Sequence, residues 1–352
     1  MVYDPTKPFK EQVMANIRKT WKDKVVEVGP YAMVKLRDGR LGLFHADGIG
    51  TKGYLHWQQK TFKEAAQDAL AMNVDDSIML GVYPEVVVDH MILAEESNEA
   101  ILGVTEGLCD LCSDLDIVVP GGETAILDTI KGLEVGVVTY GSIDEKDIVK
   151  PKIKDGDKII GIESSGIHSN GLTFIREMIF DKLKLKMDST LPCYLNKKIG
   201  EELTIPTHIY LPVLKEVLDN YRDKISGMMH ITGGAFSKLL DIAGNNALEI
   251  TKEHGLTPQP IFNFLRDQNL ISEVDMYRKF NCGIGFVITC RPGVENDLVG
   301  IIGEKFKAEV IGQASKSPDP AVLVYPHFSA NKVFYKYDNN HKVFGTTFVN
   351  NV

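Results

Sequence analysis

Short apolar runs rich in β-branched residues alternate along this chain with longer runs whose apolar residues recur at helical spacing. The first half carries predicted strands at 41–46, 85–93, 116–119 and 134–140, and predicted helices at 62–73 and 98–111. A further predicted strand, 158–163, opens the second half. Strands interleaved with helices pack as sheets covered by helical layers. The alternation therefore predicts an α/β (α+β) layer architecture.

A charged, turn-rich segment at 144–157 divides the chain. Such composition is typical of a linker between domains. The total of 352 residues suits about two domains at roughly 150 residues each. We therefore predict an N-terminal domain at 1–150 and a C-terminal domain at 151–326. Residues 327–352 show no clear period, which predicts an extension and not a further domain.

Composition excludes several classes of partner. The 39 Lys and Arg against 48 Asp and Glu give a formal charge of −9, which argues against a broad nucleic-acid surface. No run approaches the ~20 apolar residues of a membrane helix, and the first residues lack the apolar core of a signal peptide. Five cysteines are an odd, sparse count typical of a reducing compartment. We therefore expect a cytoplasmic protein that binds neither membranes nor nucleic acids.

The segment Asp47-Gly48-Ile49-Gly50-Thr51-Lys52 follows a predicted strand. A carboxylate suits Mg²⁺, paired glycines let the backbone approach a phosphate, and a lysine can meet its charge. This composition favours a Mg–phosphate site. An ordinary strand-to-loop turn with exposed charges is the alternative.

The helix predicted at 62–73 leads into an acidic end that contains Asp68, Asn73, Asp75 and Asp76. At 100° per residue, Asp68 and Asp75 lie about 20° apart and Asp76 lies about 80° from Asp68. Carboxylates on one face can share a hydrated metal. A solvated helix end is the alternative, although anions there oppose the helix dipole.

Two glycine-containing loops offer further ligand groups. The loop 120–125 places paired glycines before Glu123, which suggests close backbone approach to a ligand, although a tight turn is the better interpretation of this loop taken alone. The loop 163–172 lies between a strand and a helix N-terminus, where free N–H groups bind anions. We predict a cradle for a phosphate monoester there; a simple helix cap is the alternative. Its predicted ligands are Ser164, Ser165, Gly166, His168, Ser169 and Asn170.

Two more segments combine glycines with polar residues at predicted element ends: 229–235 and 276–286. In the first, His230 is a candidate general acid or base, with a buried core histidine as the alternative. The pair Cys109 and Cys112 lies on a predicted helix without a second ligand pair, so packed thiols are a better interpretation than zinc.

These motifs, in this order, resemble those of the aminoimidazole ribonucleotide synthetase family, also called phosphoribosylformylglycinamidine cyclo-ligases. The resemblance runs from about Asp47 to about Gly312, and its most specific part is Met-Tyr-Arg-x-Phe-Asn-x-Gly-x-Gly at 276–285. It implies two α/β domains per subunit. The N-terminal sheet would contribute to a barrel-like interface of a homodimer, and the C-terminal domain would be an α/β sandwich.

The resemblance also implies an activity. The family closes formylglycinamidine ribonucleotide to aminoimidazole ribonucleotide with ATP and Mg²⁺, and releases ADP and phosphate in purine biosynthesis. ATP phosphorylates the formyl amide oxygen, and the amidine nitrogen then displaces phosphate.

Carried over by matching motif positions, the site residues fall into four groups. The metal ligands would be Asp47, Asp68 and Asp76. The ATP-binding residues would be Asp47, Gly48, Gly50, Thr51, Lys52, Asp68 and Asn73. The catalytic residues would be His230, Asp76 and Glu123, and the substrate phosphate would lie on the loop residues named above, from Ser164 to Asn170.

The chain departs from the family pattern in places. No Gly-Gly pair precedes Asp47, Asp75 stands where the family commonly has Asn, and Ala235 replaces a third glycine. Two alternatives stay open for this reason. One is another ATP-using enzyme of the superfamily, either a small-molecule kinase or a relative of formylglycinamidine ribonucleotide synthetase; the other is a non-catalytic nucleotide-binding homologue.

Overall fold

The computed structural model describes residues 10–29, 31–191, 194, 196–338 and 342–348. Within them the chain folds around two sheets, one in each half, and the predicted α/β (α+β) class is confirmed. The strands of the first half are β1 (Val25–Val28), β2 (Tyr31–Lys35), β3 (Leu41–Gly48), β4 (Val86–Leu93), β5 (Gly122–Ile126) and β6 (Leu133–Ile143). Its helices are α1 (Lys10–Arg18), α2 (Thr51–Gln59), α3 (Phe62–Ile78) and α4 (Asn98–Asp114).

The first sheet has the order β1-β2-β3-β6-β4-β5, and only the edge pair β4–β5 is parallel. Helix α3 packs on β3, β6 and α4, and almost all of its residues are buried. Leu41 and Leu43 of β3 face this helix because alternate residues of a strand share one face. Ser97 caps α4 by accepting a hydrogen bond from Ala100 N.

The opposite face of the first sheet carries exposed apolar side chains. Phe44 is 55% exposed, and Val34, Val88 and Val138 are exposed beside it. The strands run in register across this face, with Phe44 opposite Tyr140. We call this surface the open sheet face. Exposed contiguous apolar surface of this kind is typical of an interface.

The second sheet contains eight strands in the order β14-β13-β12-β9-β11-β7-β10-β8. They are β7 (Lys158–Glu163), β8 (Ile225–His230), β9 (Asn246–Ile250), β10 (Ile284–Cys290), β11 (Ala308–Lys316), β12 (Ala321–Val324), β13 (Lys332–Tyr337) and β14 (Val343–Phe348). The helices are α5 (Leu172–Arg176), α6 (Ile199–Leu203), α7 (Leu211–Tyr221), α8 (Leu240–Ala243), α9 (Pro260–Asp267), α10 (Glu273–Lys279) and α11 (Glu295–Gly303). Every residue of β8 and β10 is buried.

The segment 144–157 joins the two sheets and holds only one short turn of helix, Glu145–Asp147. Two arginines from the second half tie this region down. Arg222 donates to the carbonyl of Asp147 at 2.6 Å, and Arg291 pairs with Asp157 at 2.6 Å. The predicted linker is therefore fixed to the C-terminal half.

Three local expectations change. The strand predicted at 116–119 is wrong: Val118 makes only an isolated bridge to Val86. The segment predicted as a loop around Glu123 forms the edge strand β5. The predicted extension contributes β13 and β14 to the second sheet, while residues 339–341 and 349–352 lie outside the described residues.

Candidate active site

A cavity of about 980 Å³ opens between the two halves of the molecule. The first half contributes side chains of β2, β3 and α3, and the second half contributes the 170–177 and 232–238 segments with α8, α10 and the β13–β14 hairpin. The polar and charged side chains of the wall are His45, Asp47, Asp76, Asn170, Thr173, Glu177, Thr232, Ser237, Lys238, Asp241, Arg278, Lys279 and the phenols of Tyr31 and Tyr337. Both acidic and basic groups therefore face this space.

Strand β3 passes from core to cavity along a single face. After Leu41 and Leu43, the next residues of that face are His45 and Asp47. His45 Nδ1 lies 3.0 Å from the side-chain oxygen of Asn73, and Asn73 Nδ2 donates to the backbone carbonyl of Asp47 at 3.1 Å. Asn73 thus fixes the end of β3 against α3.

Asp76 is 7% exposed and lies at the bottom of the cavity. Its Oδ1 is 2.9 Å from His230 Nδ1, and its Oδ2 is 3.4 Å from His45 Nε2 and 3.5 Å from the Tyr31 hydroxyl. We call these four residues the Asp76 cluster. The two histidines come from different halves of the chain, so the cluster spans the junction between them.

The charges around Asp76 favour its ionised form. Burial alone would raise the pKa of Asp76, but Lys238, His230 and His45 together lower it well below its usual value. Burial disfavours the charged form of His45, yet its hydrogen bond to Asp76 raises the pKa of His45. Asp76 is therefore a carboxylate at neutral pH, with part of its surface open to the cavity.

Asp47 is the second carboxylate in the cavity. Its pKa is raised, first by partial burial and also by the negative charge of Asp76. Glu134 of β6 lies behind the same loop, where its Oε1 accepts from Gly50 N at 3.1 Å, and burial and Asp47 raise its pKa as well. A side chain at Gly48 would clash with Glu134. This concentration of negative charge would be relieved by a cation.

Asp68, in the first half of α3, is fully buried and does not line the cavity. It accepts from Lys52 Nζ at 2.8 Å and from His56 Nε2 at 2.7 Å. Thr207 N and Ser169 Oγ donate to it at 2.8 and 3.0 Å. We call these five residues the Asp68 cluster.

The Asp68 cluster is an internal ion pair. Burial alone would raise the pKa of Asp68, but Lys52 and His56 bring it well below its usual value. The Lys52 ammonium also donates to the carbonyl of Ile205 at 2.6 Å. The structure therefore does not bring the predicted ligands Asp68 and Lys52 to the cavity; their charged atoms are occupied within the protein.

The predicted phosphate loop also uses most of its groups internally. Ser164 Oγ donates to Asn281 Oδ1 at 2.9 Å, Ser165 Oγ donates to the carbonyl of Pro206 at 2.6 Å, and Ser169 Oγ donates to Asp68. Only Asn170 of the six predicted ligands lines the cavity. Its side-chain nitrogen is buried and has no hydrogen-bond partner among the described residues.

His168 and His230 both lie behind the cavity wall. Each is buried, and burial lowers the pKa of both, so the neutral rings are favoured. His168 Nε2 accepts from Ser165 N at 3.2 Å, and the His230 ring stacks on Phe286. His230 thus reaches the cavity only through Asp76.

The remaining predicted residues divide between cavity and surface. Glu123 lies on the exposed edge strand β5, three strands away from β3, and its Oε1 accepts only from its neighbour Thr124 N. Thr51 begins α2, and its hydroxyl lies 2.6 Å from that of Thr173 in the cavity wall. Gly50, which precedes it, has φ +54° and a backbone N–H used by Glu134.

Several cavity residues escaped the sequence-based prediction: His45, Lys238, Arg278, Lys279 and Tyr337. His45 had a usable signal, since it lies two residues before Asp47 on the same strand face. Arg278 and Lys279 lie inside the segment 276–286 but were not singled out. Lys238 gives no pattern of its own; its ammonium donates to Thr232 Oγ1 at 2.7 Å.

The described residues hold no group of three or more His, Cys, Asp or Glu side chains arranged to bind a metal ion. Among the helices that the structure describes, none is long and apolar enough to cross a membrane.

This fold and site define an AIR synthase related protein. The family model for the N-terminal domain of AIR synthase related proteins matches residues 29–143, and the model for the C-terminal domain matches residues 154–325. The chain belongs to the phosphoribosylformylglycinamidine cyclo-ligase family, which confirms the resemblance drawn from the motifs, and is thus an enzyme of a ligase family. The cyclo-ligase of Methanocaldococcus jannaschii is 33% identical over 322 residues, covering 90% of this chain and 86% of the relative. That of Bacillus subtilis is 34% identical over 279 residues, covering 77% and 79%.

Solved structures show the same fold at low identity. A chain of the HypE–HypF complex has a TM-score of 0.64 at 13% identity, covering 97% of this chain and 99% of that one. Thiamine-monophosphate kinase from Stenotrophomonas maltophilia has a TM-score of 0.59 at 18% identity, covering 91% and 96%. At these identities the likeness concerns the fold alone.

Proposed function

We propose that this chain catalyses the ATP-dependent closure of formylglycinamidine ribonucleotide to aminoimidazole ribonucleotide, with release of ADP and phosphate. The observation that carries this proposal is the cavity with its two carboxylates, Asp47 and Asp76, beside Lys238 in a chain of the cyclo-ligase family. Acidic and basic groups in one enclosed space suit a reaction that moves a phosphoryl group.

The chemistry needs positioning more than covalent help from the protein. An amide oxygen is a poor leaving group, and phosphorylation turns it into a good one. The amidine nitrogen then forms the new C–N bond, the C–O bond breaks, phosphate leaves with the bonding pair, and the nitrogen loses a proton. Because nucleophile and electrophile are parts of one molecule, orientation can supply much of the rate.

ATP and Mg²⁺ would use the acidic end of the cavity. Mg²⁺ commonly binds one or two carboxylates together with substrate phosphates, and Asp47 and Asp76 fit that pattern. Burial, and after it the negative charge of Asp76, raises the pKa of Asp47, and a bound cation would favour the ionised carboxylate. When bound, Mg²⁺ would neutralise charge on the phosphate oxygens. Lys238 supplies a further positive charge, and Asp68 and Lys52 hold the two halves together instead of binding metal or phosphate.

His230 acts in this proposal by orienting Asp76. Its Nδ1 lies 2.9 Å from Asp76 Oδ1, and burial favours a neutral ring, so it donates one hydrogen bond to the carboxylate. Loss of a residue that orients a metal ligand typically lowers metal affinity or activity roughly 10–100-fold. Because the His230 ring is buried and does not line the cavity, the proposal assigns it no direct proton transfer to substrate.

We also propose a homodimer through the open sheet face. The exposed Phe44 and Val138 lie on neighbouring strands there, and a second copy would cover them. The catalytic role predicted for Glu123 depends on such a second copy, because within one chain it lies at the sheet edge. Phe44→Asp should convert a dimer into monomers in sedimentation equilibrium. Phe348→Asp, at an exposed position in the other half, is the control and should leave the mass unchanged; a monomeric wild type contradicts the dimer.

A cytoplasmic location fits the same proposal. The cysteines that the structure describes, Cys109, Cys112, Cys282 and Cys290, are free thiols, as a reducing compartment requires. Separation of cell fractions followed by detection of the chain would test this location.

The direct test is ADP release by purified protein with Mg-ATP, with and without formylglycinamidine ribonucleotide. We expect release that depends on the ribonucleotide, and one aminoimidazole ribonucleotide per ADP by chromatography. ADP release only with a different acceptor would indicate another enzyme of the superfamily. Tight ATP binding by calorimetry without ADP release under any condition would indicate a non-catalytic homologue.

A further inference from the structure

The β13–β14 hairpin lies beyond residue 325, where the match to the family's C-terminal domain ends. Nevertheless, two of its residues, Tyr337 and Val343, line the active-site cavity. Both come from strand ends next to the hairpin connection. A segment outside the two matched family domains therefore forms part of the cavity wall.

The hairpin holds the first of two cavity helices, α8. The Tyr337 hydroxyl donates a short hydrogen bond to Asp241, and both side chains face the cavity. Burial and the nearby Asp241 carboxylate raise the pKa of Tyr337, so the phenol keeps its proton at any physiological pH. This hydrogen bond holds the Asp241 side chain against the β13–β14 hairpin.

The hairpin also holds α10. The Tyr335 hydroxyl donates to the carbonyl of Val274 at 2.6 Å, and Asn331 Nδ2 donates to Glu273 at 2.9 Å. At Gly345 of β14, an added Cβ would approach Val274 to 2.7 Å, so only a glycine allows this close packing. Three contacts thus set the position of α10 against the second sheet.

Helix α10 ends with two cations that face the cavity, Arg278 and Lys279. The Lys279 ammonium lies 5.9 Å from the ring of Phe174, another cavity residue. Cations at a helix C-terminus also favour the helix dipole, but that effect does not require them to face a cavity. The first half contributes the carboxylates Asp47 and Asp76, whereas the second half contributes Glu177, Lys238 and Asp241 as well, so Arg278 and Lys279 form one basic part of a mixed wall.

We propose that the β13–β14 hairpin is a substrate wall, which positions Arg278 and Lys279 to bind the phosphate monoester of the ribonucleotide substrate. A monoester dianion carries no metal of its own and is best met by Arg and Lys, whereas a metal nucleotide is best met by carboxylates. Val343 of the hairpin lines the same cavity, so a larger side chain there would reduce the space for the ligand. The inference rests on the proposed function and names the substrate end that this part of the site binds.

The test distinguishes a hairpin that contacts the substrate from a hairpin that only stabilises the second sheet. Val343→Trp should raise KM for formylglycinamidine ribonucleotide at least 10-fold while KM for ATP stays within 2-fold. Phe344→Trp is the matched control, because Phe344 is the next residue of β14, faces the other side and is 49% exposed; both constants should stay unchanged. A shift in KM for ATP instead would overturn the assignment.

Charge removal gives a second measurement. Arg278→Met and Lys279→Met should each raise KM for the ribonucleotide roughly 10–100-fold, as expected for a charged hydrogen bond to phosphate. Calorimetry with ribose 5-phosphate gives a readout without turnover, and binding should weaken in parallel.

The outcomes distinguish this inference from the proposed function. An active wild type with unchanged KM values in all three variants overturns the wall. A wild type that is inactive with formylglycinamidine ribonucleotide, yet loses ribose 5-phosphate binding in Arg278→Met, overturns the proposed function and leaves the phosphate site standing.

Discussion

Helix α3 carries two carboxylates in closely similar surroundings, Asp68 in its first half and Asp76 in its last turn, yet they differ in what they leave free. Asp68 and Asp76 are both buried, both bond to a histidine, and both have a lowered pKa. Asp68 accepts from a lysine, a histidine, a backbone N–H and two hydroxyls, which fills both of its oxygens. Asp76 contacts mainly histidines and a phenol, and it faces the cavity.

This difference separates a carboxylate held in an internal ion pair from a carboxylate that lines the cavity. A buried charge is stable only when its partners compensate for lost water. The Asp68 cluster provides full compensation with a fixed lysine. Asp68 contacts one histidine and one lysine, whereas Asp76 contacts two histidines. The Asp76 carboxylate therefore retains capacity for a cation. The five predictions below sharpen this contrast, beginning with the largest expected effect.

Asp68→Asn should destabilise the fold most. It leaves the Lys52 ammonium buried without an ionised partner, which costs about 3–5 kcal/mol in the free energy of unfolding. Denaturant unfolding at pH 7 measures it. Asp110→Asn, at an exposed carboxylate 3.8 Å from Lys63, is the control and should change stability by less than about 0.5 kcal/mol.

The pH dependence should follow the same pair. The pKa of Asp68 is lower in the folded than in the unfolded chain, so its stabilisation is present above the unfolded value of about 3.9 and is lost as pH falls below it. The Asp68→Asn variant should therefore show a shallower loss of stability below about pH 4 than the wild type. Equal slopes in the two proteins would count against the ion pair.

Asp76→Asn should affect catalysis more than folding. Loss of the cavity carboxylate should lower kcat roughly 10²–10³-fold, a typical cost of one electrostatic contact in an active site. Its free energy of unfolding should fall less than in Asp68→Asn, because neighbouring histidines can become neutral. Steady-state kinetics and unfolding on the same preparation decide it. A variant with normal kcat and low stability would show that Asp76, like Asp68, serves the stability of the fold and not catalysis.

Substitutions of His230 distinguish orientation from proton transfer. His230→Leu removes the donor to Asp76 and should lower kcat about 10–100-fold. His230→Asn places an amide donor near the position of Nδ1 and should restore most of that loss. If His230 carried the proton itself, both variants would be equally impaired, and the pH–rate profile would lose a limb in both.

Asp75→Asn should have the smallest effect. Asp75 Oδ1 accepts from Tyr210 N and Leu211 N at the start of α7, and an Asn oxygen can do the same. Burial raises the pKa of Asp75, so the wild type loses stability as pH rises from about 4 toward the folded pKa. The variant should match or exceed wild-type stability at pH 7, by at most about 1 kcal/mol, with a flatter pH profile. Destabilisation would mean that the charged carboxylate is needed.

The sequence was sufficient for elements whose pattern is local. The strand predicted at 158–163 has those bounds, and the helix predicted from residue 62 begins there and continues to Ile78. Their periodicity reports a buried face directly. Glycines misled the prediction at Glu123, since paired glycines are typical of turns, whereas an edge strand tolerates them.

The site was harder because its partners are distant in sequence. The spacing of Asp68, Asp75 and Asp76 indicates a shared helix face, but their partners come from residues 207, 210 and 230. A serine hydroxyl can bond to a phosphate or to nearby backbone equally well. The serines of the 164–170 loop therefore could not show from the sequence which of these two partners they contact. Only the three-dimensional fold decides which groups stay free.

The position of the hairpin has a consequence for how the enzyme is made. Strands β13 and β14 leave the ribosome after every other element that the structure describes, and they add to β12 at the edge of a sheet whose other strands are already synthesised. Asp241 and α10 meet Tyr337 and Gly345 only at that moment. A nascent chain therefore has a cavity with one side open until β13 and β14 pair with β12. A truncation before β13 would remove Tyr337 and Val343 from the cavity wall.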